Sequence, residues 1–219
     1  MNCIFSYKNK KISKRNLALS AINIEQNKIK ENVGSQDQTI ASYGGLNKIN
    51  FSKNKKITVN KILMKDSSFK KFNESLVLFF TGFSRNSSDV TKYYLKNIKN
   101  NESKLLEISQ ITNEAFNIFQ SKEIDIEKIG FYLNESWKLK RNLSSKVSNE
   151  LIDNIYQNGI NNGAYGGKLL GAGSGGFICF LVEPSEKKKF ISRFKNLLHI
   201  PVNLENSGSK IIYNNENLK

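Results

Sequence analysis

The sequence has few of the residues on which several classes of protein depend. Its 219 residues include two cysteines, Cys3 and Cys179, and one histidine, His199. Two cysteines so far apart provide no disulfide framework, so we expect a reducing compartment. His199 follows Leu-Leu and precedes Ile-Pro, where a packing or surface role is expected. We therefore expect neither a Ser-His-Asp triad nor a histidine-rich metal site.

Long hydrophobic runs are also missing. The longest apolar stretches, LVLFF at 76–80 and FICFLV at 177–182, are far too short to cross a membrane. The amino-terminal stretch MNCIFSYKNKK lacks the apolar stretch and small-residue cleavage site of a secretory signal. We therefore predict a cytoplasmic protein without a membrane partner.

Positive charge is abundant, since the formal net charge is +15. A basic balance of this size invites a nucleic-acid interpretation. However, the lysines are spread along the whole chain, without an RNA-binding aromatic signature, zinc-ligand spacing or recognition-helix pattern. We do not expect a nucleic-acid partner, although the charge can favour anionic small molecules such as phosphates.

The order of elements predicts an α+β fold. Ser13 is a candidate N-cap of a first helix, and VGSQDQ is interpreted as a polar loop. Strands are predicted at 45–51, 57–63, 74–82 and 177–182, and short ones at VNLE and SKIIY. Four helices are predicted between residues 90 and 156, with Trp137 on a core face, and a further helix is predicted after a cap at Ser185.

Glycine is concentrated in GAYGGKLLGAGSGGF, residues 163–177, which holds seven of the chain's 14 glycines. The order of elements, helix then glycines then strand, does not fit a Walker-type loop or a dinucleotide fingerprint. Two interpretations remain open. The segment is either a tight hairpin or a turn whose bare N–H groups meet phosphate oxygens.

Two motifs resemble those of the GHMP kinases, a family that includes galactokinase and mevalonate kinase. Residues 163–176 fit the pattern G-A-x-G-[AG]-K-x-x-G-A-G-x-G-G, and residues 34–51 fit G-x-Q-D-Q-x-x-A-x-x-G-G-x-N-x-I-x-F. The segment TGFSRNSS is similar to a stretch of the heptose and fucose kinases. The resemblance is closest to the branch that phosphorylates D-glycero-D-manno-heptose 7-phosphate.

This resemblance implies a two-domain GHMP kinase fold. Residues 1–66 would be the remaining part of the N-terminal domain, and residues 67–219 a complete ferredoxin-like C-terminal domain. The family's ATP phosphate-loop motif, P-x-x-x-G-L-G-S-S, does not occur in the sequence. We therefore expect a truncated or split kinase, for which a separate N-terminal segment is a candidate partner.

The resemblance implies transfer of the γ-phosphoryl group of ATP to a sugar or sugar-phosphate hydroxyl, with Mg²⁺. Asp37 matches the catalytic aspartate and Glu25 the magnesium-binding glutamate. The alternative is a non-catalytic remnant that binds a sugar phosphate or a partner. Lys168 is expected to pair with a carboxylate rather than with phosphate. The other candidates for substrate binding are Gln36, Gln38, Asn47 and Arg85, and the first three are equally compatible with simply ordering the turn. The candidates for nucleotide binding are the turn residues Gly171, Ala172, Gly173, Ser174, Gly175 and Gly176.

Overall fold

The chain divides into two compact units. The structure, a computed structural model, describes residues 1–54, 56–83 and 98–213. Unit 1 consists of Met1–Ile62 together with the segment from Leu204 onward, and unit 2 consists of Leu63–Asn203. The family domain division at residues 66 and 67 stays a prediction.

Unit 1 is a pair of packed helices followed by a two-stranded hairpin. Its elements are α1 (Asn2–Tyr7), α2 (Lys14–Asn23), a π-helical turn (Ile24–Ile29), α3 (Gln36–Tyr43), β1 (Asn47–Phe51) and β2 (Ile57–Lys61). The Ser13 hydroxyl accepts a hydrogen bond from the Asn16 amide at 3.2 Å, which confirms the predicted N-cap of α2. The strands β1 and β2 pair antiparallel, so the strands predicted around 45–51 and 57–63 are confirmed.

The interpretation of VGSQDQ as a loop is wrong for its last three residues. Gln36, Asp37 and Gln38 form the first turn of α3. The Thr39 hydroxyl donates to the Ser35 carbonyl at 2.6 Å, and the Ser42 hydroxyl donates to the Gln38 carbonyl at 2.8 Å. These bonds give the two hydroxyls acceptors on the preceding turn, so the polar side chains of this segment are compatible with a helix.

Unit 2 contains a four-stranded antiparallel sheet with helices. Its elements are α4 (Asp66–Ser75), β3 (Leu76–Phe80), a 3₁₀ turn (Lys99–Asn101), α5 (Glu102–Phe119), α6 (Ile126–Arg141), α7 (Glu150–Asn161), β4 (Gly166–Leu169), β5 (Phe177–Leu181), a 3₁₀ turn (Pro184–Glu186), α8 (Lys187–Ser192) and β6 (Leu198–Ile200). The strand order is β4-β5-β3-β6. The mixture of helices and antiparallel strands in both units confirms the predicted α+β class.

The core of unit 2 lies on one face of this sheet. Val77 and Phe79 alternate along β3 and are fully buried. Trp137 of α6 is 1% exposed, as its position on the helix predicted. The other core members include Val147, Ile152, Leu169, Ile178, Phe180, Phe190 and Phe194. The helix α6 packs closely on the edge strand β4 because neither Gly130 nor Gly166 carries a side chain. A Cβ built on Gly166 would lie 1.8 Å from the Gly130 carbonyl oxygen.

Several predicted elements near the carboxyl end are wrong. Ser185 does not cap a helix, because it lies inside the 3₁₀ turn and α8 begins two residues later. The stretches VNLE and SKIIY form no strand, and β6 is Leu198–Ile200 instead. The Glu205 carboxylate accepts hydrogen bonds from the Ser207 and Gly208 amides, so this segment closes into a turn rather than a ladder. The first predicted helix, from residue 90, falls mainly outside the described residues.

Within residues 1–54, 56–83 and 98–213, no helix has both the length and the apolar character needed to span a bilayer.

Candidate functional site

Glu25 is presented by an irregular end of the first long helix. The helix α2 continues into the π-helical turn, which ends at Lys30 with a left-handed φ of 62°. The Gln26 amide donates to the Val33 carbonyl at 3.0 Å and to the Ser35 hydroxyl at 3.2 Å. These bonds hold the segment between the turn and α3, and they fix the position of Glu25 relative to α3.

Asp37 and Gln38 lie in the first turn of α3. A carboxylate is favourable there because the amino end of a helix carries partial positive charge. The Asp37 side chain is exposed, whereas Gln38 is 8% exposed. The Gln38 side-chain amide donates to the Glu25 carboxylate across the α2–α3 contact.

These three residues line one cavity of about 490 Å³ in unit 1. Its other lining residues are Met1, Asn2, Leu17, Ala21, Ala41, Ser42 and Ser209. The structure therefore brings the predicted magnesium ligand and the predicted catalytic aspartate together, although twelve positions separate them in the sequence. Ser209 was not predicted, because it reaches the cavity only through the folding of residues 204–213 onto unit 1.

The oxygen atoms in this cavity suit a hard cation. The Gln38 side-chain amide holds one carboxylate oxygen of Glu25, and the Gln38 side-chain oxygen, Oε1, is buried with no hydrogen-bond partner among the described residues. No group of three or more His, Cys, Asp or Glu side chains that could hold a metal occurs within the described ranges. Mg²⁺ is usually held by only one or two carboxylates, with phosphates and waters as the remaining ligands. The residues present therefore fit a magnesium ion that is bound together with a phosphate.

Two of the other predicted substrate-binding residues, Asn47 and Gln36, do not line the cavity. The Asn47 side-chain amide donates to the Gly44 and Gly45 carbonyls at 2.9 and 3.1 Å, so it orders the turn before β1. Gln36 is exposed at the start of α3 and does not line the cavity. Arg85 lies outside the described residues. Sugar binding by Asn47 and Gln36 and substrate-phosphate binding by Arg85 stay predictions.

In unit 2, the glycine segment forms an antiparallel hairpin with an elaborate turn. Lys168 of β4 pairs with Cys179 of β5, and the Leu170 amide donates to the Phe177 carbonyl at 2.8 Å. The hairpin interpretation of this segment is thus confirmed for its two strands. It does not exclude phosphate binding by the turn that joins them.

One side of this turn is closed by packing. Gly173 has a φ of 129°, and a Cβ on it would lie 2.6 Å from the Val147 carbonyl oxygen. The Ser174 amide donates to that same carbonyl at 2.9 Å, and the Gly176 amide donates to the Phe83 carbonyl at 2.8 Å. At Gly173, both the positive φ and the close contact with Val147 require a residue without a side chain.

The other side of the turn is open. A Cβ built on Gly171, which has a φ of 69°, would meet nothing within 4 Å. Within the described ranges, the N–H groups of Gly171, Ala172 and Gly173 donate to no protein acceptor. Successive N–H groups of this kind form a concavity that suits an anion.

Two lysines adjoin the turn, and one of them was missed by sequence reasoning. The Lys140 ammonium, in the last turn of α6, donates to the Gly171 carbonyl at 2.5 Å. Burial and the nearby Lys168 charge lower the pKa of Lys140 to about 8. Burial also lowers the pKa of Lys168. Lys168 forms no ion pair with a carboxylate in the described part of the chain, contrary to expectation. No local sequence signal marks Lys140, since it is one of several basic residues ending α6.

Comparison with known families gives one match in this region. Residues 115–199 match the family described as GHMP kinases C terminal. A curated relative, D-glycero-alpha-D-manno-heptose 7-phosphate kinase of Campylobacter jejuni, is 34% identical over 164 residues. That alignment covers 74% of this chain and 48% of the relative. The chain therefore spans about half the length of this curated relative.

Solved structures agree on the fold. A structure described as a putative sugar kinase from Campylobacter jejuni has a TM-score of 0.64 at 27% identity. The alignment covers 93% of this chain and 58% of that one. A D-glycero-D-manno-heptose 1-phosphate kinase from Bacteriodes thetaiotaomicron has a TM-score of 0.63 at 22% identity, with coverage of 96% and 60%. A mevalonate kinase has a TM-score of 0.71 at 22% identity, with coverage of 93% and 61%.

Proposed function

On the premise that this chain has the GHMP kinase fold and carries the C-terminal domain of that family, we propose that it acts in an ATP-dependent sugar-phosphate kinase. The proposed reaction is the transfer of the γ-phosphoryl group of ATP to a hydroxyl of a heptose 7-phosphate or a related sugar phosphate. The substrate class is suggested by the curated heptose 7-phosphate kinase, which is 34% identical to this chain.

The observation that carries this proposal is the shared cavity of Glu25, Asp37 and Gln38. Phosphoryl transfer depends on positioning and on charge stabilisation rather than on covalent work by the protein. The cavity contains the exposed carboxylate of Asp37 and the carboxylate of Glu25, which the Gln38 amide holds. The two carboxylates can therefore serve different roles. Asp37 is the proposed general base, and Glu25 is the proposed magnesium ligand.

In the proposed step, the Asp37 carboxylate accepts the proton of the acceptor hydroxyl. The oxygen of that hydroxyl forms a bond to the γ-phosphorus as the bond between the γ-phosphorus and the β–γ bridging oxygen breaks. The products are the phosphorylated sugar and ADP, and the proton remains on Asp37 until it passes to solvent. Because Asp37 is exposed to the cavity, it can release this proton.

Glu25 would hold Mg²⁺ through the carboxylate oxygen that Gln38 does not occupy. When bound, the ion supplies charge neutralisation at the phosphate oxygens. Gln38 keeps the Glu25 carboxylate in one orientation through its side-chain amide. The turn Gly171–Gly176 is the proposed contact for the nucleotide phosphates.

The second candidate is a binding component without catalysis of its own. The observation that favours it is the absence of P-x-x-x-G-L-G-S-S from the 219 residues. In the kinase proposal, a further segment or a partner chain supplies this loop. In the binding proposal, the chain holds a sugar phosphate or a partner protein and transfers nothing.

A phosphoryl-transfer assay tests both candidates. We expect the chain, mixed with a polypeptide that carries the missing motif, to transfer labelled γ-phosphate from ATP to heptose 7-phosphate. Asp37→Asn should lower the rate by about 10²- to 10⁴-fold, because the acceptor proton loses its base. Glu31→Gln, which removes an exposed carboxylate from the same region, is the matched control.

Equal rates for Asp37→Asn and the unaltered chain would exclude the general-base role. Binding of heptose 7-phosphate without any transfer, in every mixture, would support the second candidate.

A further inference from the structure

Ser174 has an unfavourable backbone conformation in the turn between β4 and β5. Its φ is 65°, in the left-handed region that residues with a side chain rarely adopt. The residue is 5% exposed, so it is enclosed by the structure rather than placed at a free loop tip. A residue in such a conformation persists only where its surroundings hold it in place. The contacts of Ser174 therefore indicate what fixes the shape of this turn.

Those contacts come from the loop that joins α6 to α7. The Ser174 amide donates to the Val147 carbonyl at 2.9 Å, and the Ser174 hydroxyl donates to the Lys146 carbonyl. Gly173 packs on the same segment, since a Cβ on it would lie 2.8 Å from the Val147 Cα. The backbone of this loop thus meets the turn through two hydrogen bonds and one close contact. A shift of the loop would move both acceptors of Ser174.

One carboxylate ties both ends of this loop to α7. Asp153, in the first turn of α7, accepts a hydrogen bond from the Ser148 hydroxyl at 2.7 Å through Oδ1. Its other oxygen, Oδ2, accepts from the Arg141 guanidinium at 2.6 Å. Arg141 is the last residue of α6, and Ser148 lies directly after Val147. Because the two bonds use different oxygens, Asp153 holds both ends of the loop at the same time.

This carboxylate contributes more to the geometry of the loop than to the stability of the fold. The side chains of Arg141 and Asp153 are 50% and 27% exposed, and ion pairs of such exposure add little to the free energy of unfolding. The start of α7 has its own cap, since the Asn149 side chain accepts from the Ile152 amide at 3.0 Å. Charge-assisted hydrogen bonds are nevertheless short and directional, so they restrict where the loop can lie.

We propose that Asp153 is a positioning residue that sets the conformation of the turn at Ser174. It acts through Ser148 and the backbone of residues 146–147, which carries both acceptors of Ser174. The consequence for activity rests on the proposed function, in which this turn contacts the nucleotide phosphates. The link from Asp153 to Ser174 is a property of unit 2 and can be measured without a ligand.

That link is tested by amide hydrogen exchange on the full chain, followed by NMR. Asp153→Ala should speed exchange of the Ser174 amide by about tenfold, because the loop that carries its acceptor loses two bonds to a charged group. The Gly176 amide, which donates to the Phe83 carbonyl at 2.8 Å, should keep its rate. Glu150→Ala removes an exposed carboxylate from the same turn of α7 and should change neither rate. Equal acceleration at Ser174 and Gly176 would indicate general destabilisation and overturn the proposal.

Ser148 provides a second test if Asp153→Ala does not fold. Ser148→Ala removes the hydroxyl that bonds to Asp153 and should speed exchange at Ser174 by about three- to tenfold. Ser148→Thr keeps a hydroxyl at this position and should retain most of the protection. An unchanged Ser174 rate in Ser148→Ala would exclude coupling through Ser148.

The consequence for the nucleotide is tested by calorimetry with a non-hydrolysable ATP analogue, in the mixture of this chain with a polypeptide that carries the missing motif. Asp153→Ala should weaken binding of the analogue by about tenfold and leave the affinity for heptose 7-phosphate unchanged. Equal weakening for both ligands would contradict a role at the turn. If no variant and not even the unaltered chain binds the analogue, the proposed function fails, whereas hydrogen exchange still decides whether Asp153 positions Ser174.

Discussion

The two units of this protein differ in the polar groups of their candidate sites, which are negatively charged in unit 1 and hydrogen-bond-donating or positively charged in unit 2. In unit 1, the cavity between α2 and α3 contains the carboxylates of Glu25 and Asp37, with one amide that holds the first of them. In unit 2, the turn between β4 and β5 has open backbone N–H groups and adjoins two lysines, neither of which pairs with a described carboxylate. The first arrangement suits a cation and a proton, and the second suits an anion.

This difference follows from the elements that carry the groups. In unit 1, side chains from two helices converge, so single substitutions of side chains should disable the cavity. In unit 2, the backbone of a glycine turn provides most of the donors, so the shape of the turn matters as much as any side chain. Phosphoryl transfer needs both kinds of environment, one for the acceptor and metal, and one for phosphate oxygens.

The largest expected effect tests how far backbone shape controls the turn in unit 2. Gly173→Ala should destabilise unit 2 by about 2–4 kcal/mol, because a Cβ would press on the Val147 carbonyl at an unfavourable φ. Gly171→Ala, at the open side of the same turn, should cost only about 1 kcal/mol, for its left-handed φ. Urea denaturation of both variants measures the difference. Similar losses would show that the two sides of the turn are not distinct.

The second prediction concerns the amide that organises the cavity of unit 1. Gln38→Leu should weaken Mg²⁺ binding by about 10- to 100-fold, since Glu25, the proposed metal ligand, loses the group that orients its carboxylate. Gln36→Leu, an exposed amide on the same helix, is the control and should have no effect. Calorimetric titration with Mg²⁺ checks both. If Gln38→Leu binds Mg²⁺ as the unaltered chain does, Gln38 does not position Glu25.

The smallest expected effect is an increase in stability rather than a loss. It tests how much the proximity of Lys140 and Lys168 destabilises the fold. Folding lowers the pKa of Lys140 from 10.5 to about 8, so the unfolded chain binds more protons between these pH values. This lysine therefore makes stability rise with pH over that window, and its penalty is fully present below pH 8. Lys140→Met should then stabilise the chain by about 1–2 kcal/mol at pH 7.

The same variant should also reduce the rise in stability between pH 8 and 10.5. Burial also shifts the pKa values of Lys168, Cys179 and Lys187, so the comparison must be with the unaltered chain under identical conditions. Urea denaturation across this pH range provides the measurement, with Lys138→Met as the control. Destabilisation by Lys140→Met at pH 7 would mean that its bond to Gly171 outweighs the repulsion.

Local patterns predicted the regular elements well where side chains repeat along one face. The helices around Leu105, Trp137 and Ile155 and the strands around Val77 and Ile178 are all present. They are long or fully buried, so their periodicity is clear. The errors at Ser185 and in SKIIY occur in short segments near the carboxyl end, where a single turn or a contact with a distant residue decides the conformation.

The candidate site was predicted in part, through motifs rather than through geometry. The motif resemblance selected Glu25, Asp37 and Gln38, and the structure places them in one cavity. It also selected Asn47, whose amide instead orders the turn before β1. Ser209 and Lys140 carry no local signal, because their positions depend on contacts with residues far away in the sequence.

The sequence by itself determined the α+β class, the glycine turn and the family to which its motifs point, because these depend on local periodicity and on residues without side chains. Only the tertiary structure decided which polar groups lack partners. Among the described residues, no acceptor reaches the N–H groups at Gly171–Gly173, no carboxylate pairs with the two lysines beside them, and no donor reaches the side-chain oxygen of Gln38. Whether a partner reaches a buried polar group depends on the packing of distant segments, which no local pattern specifies.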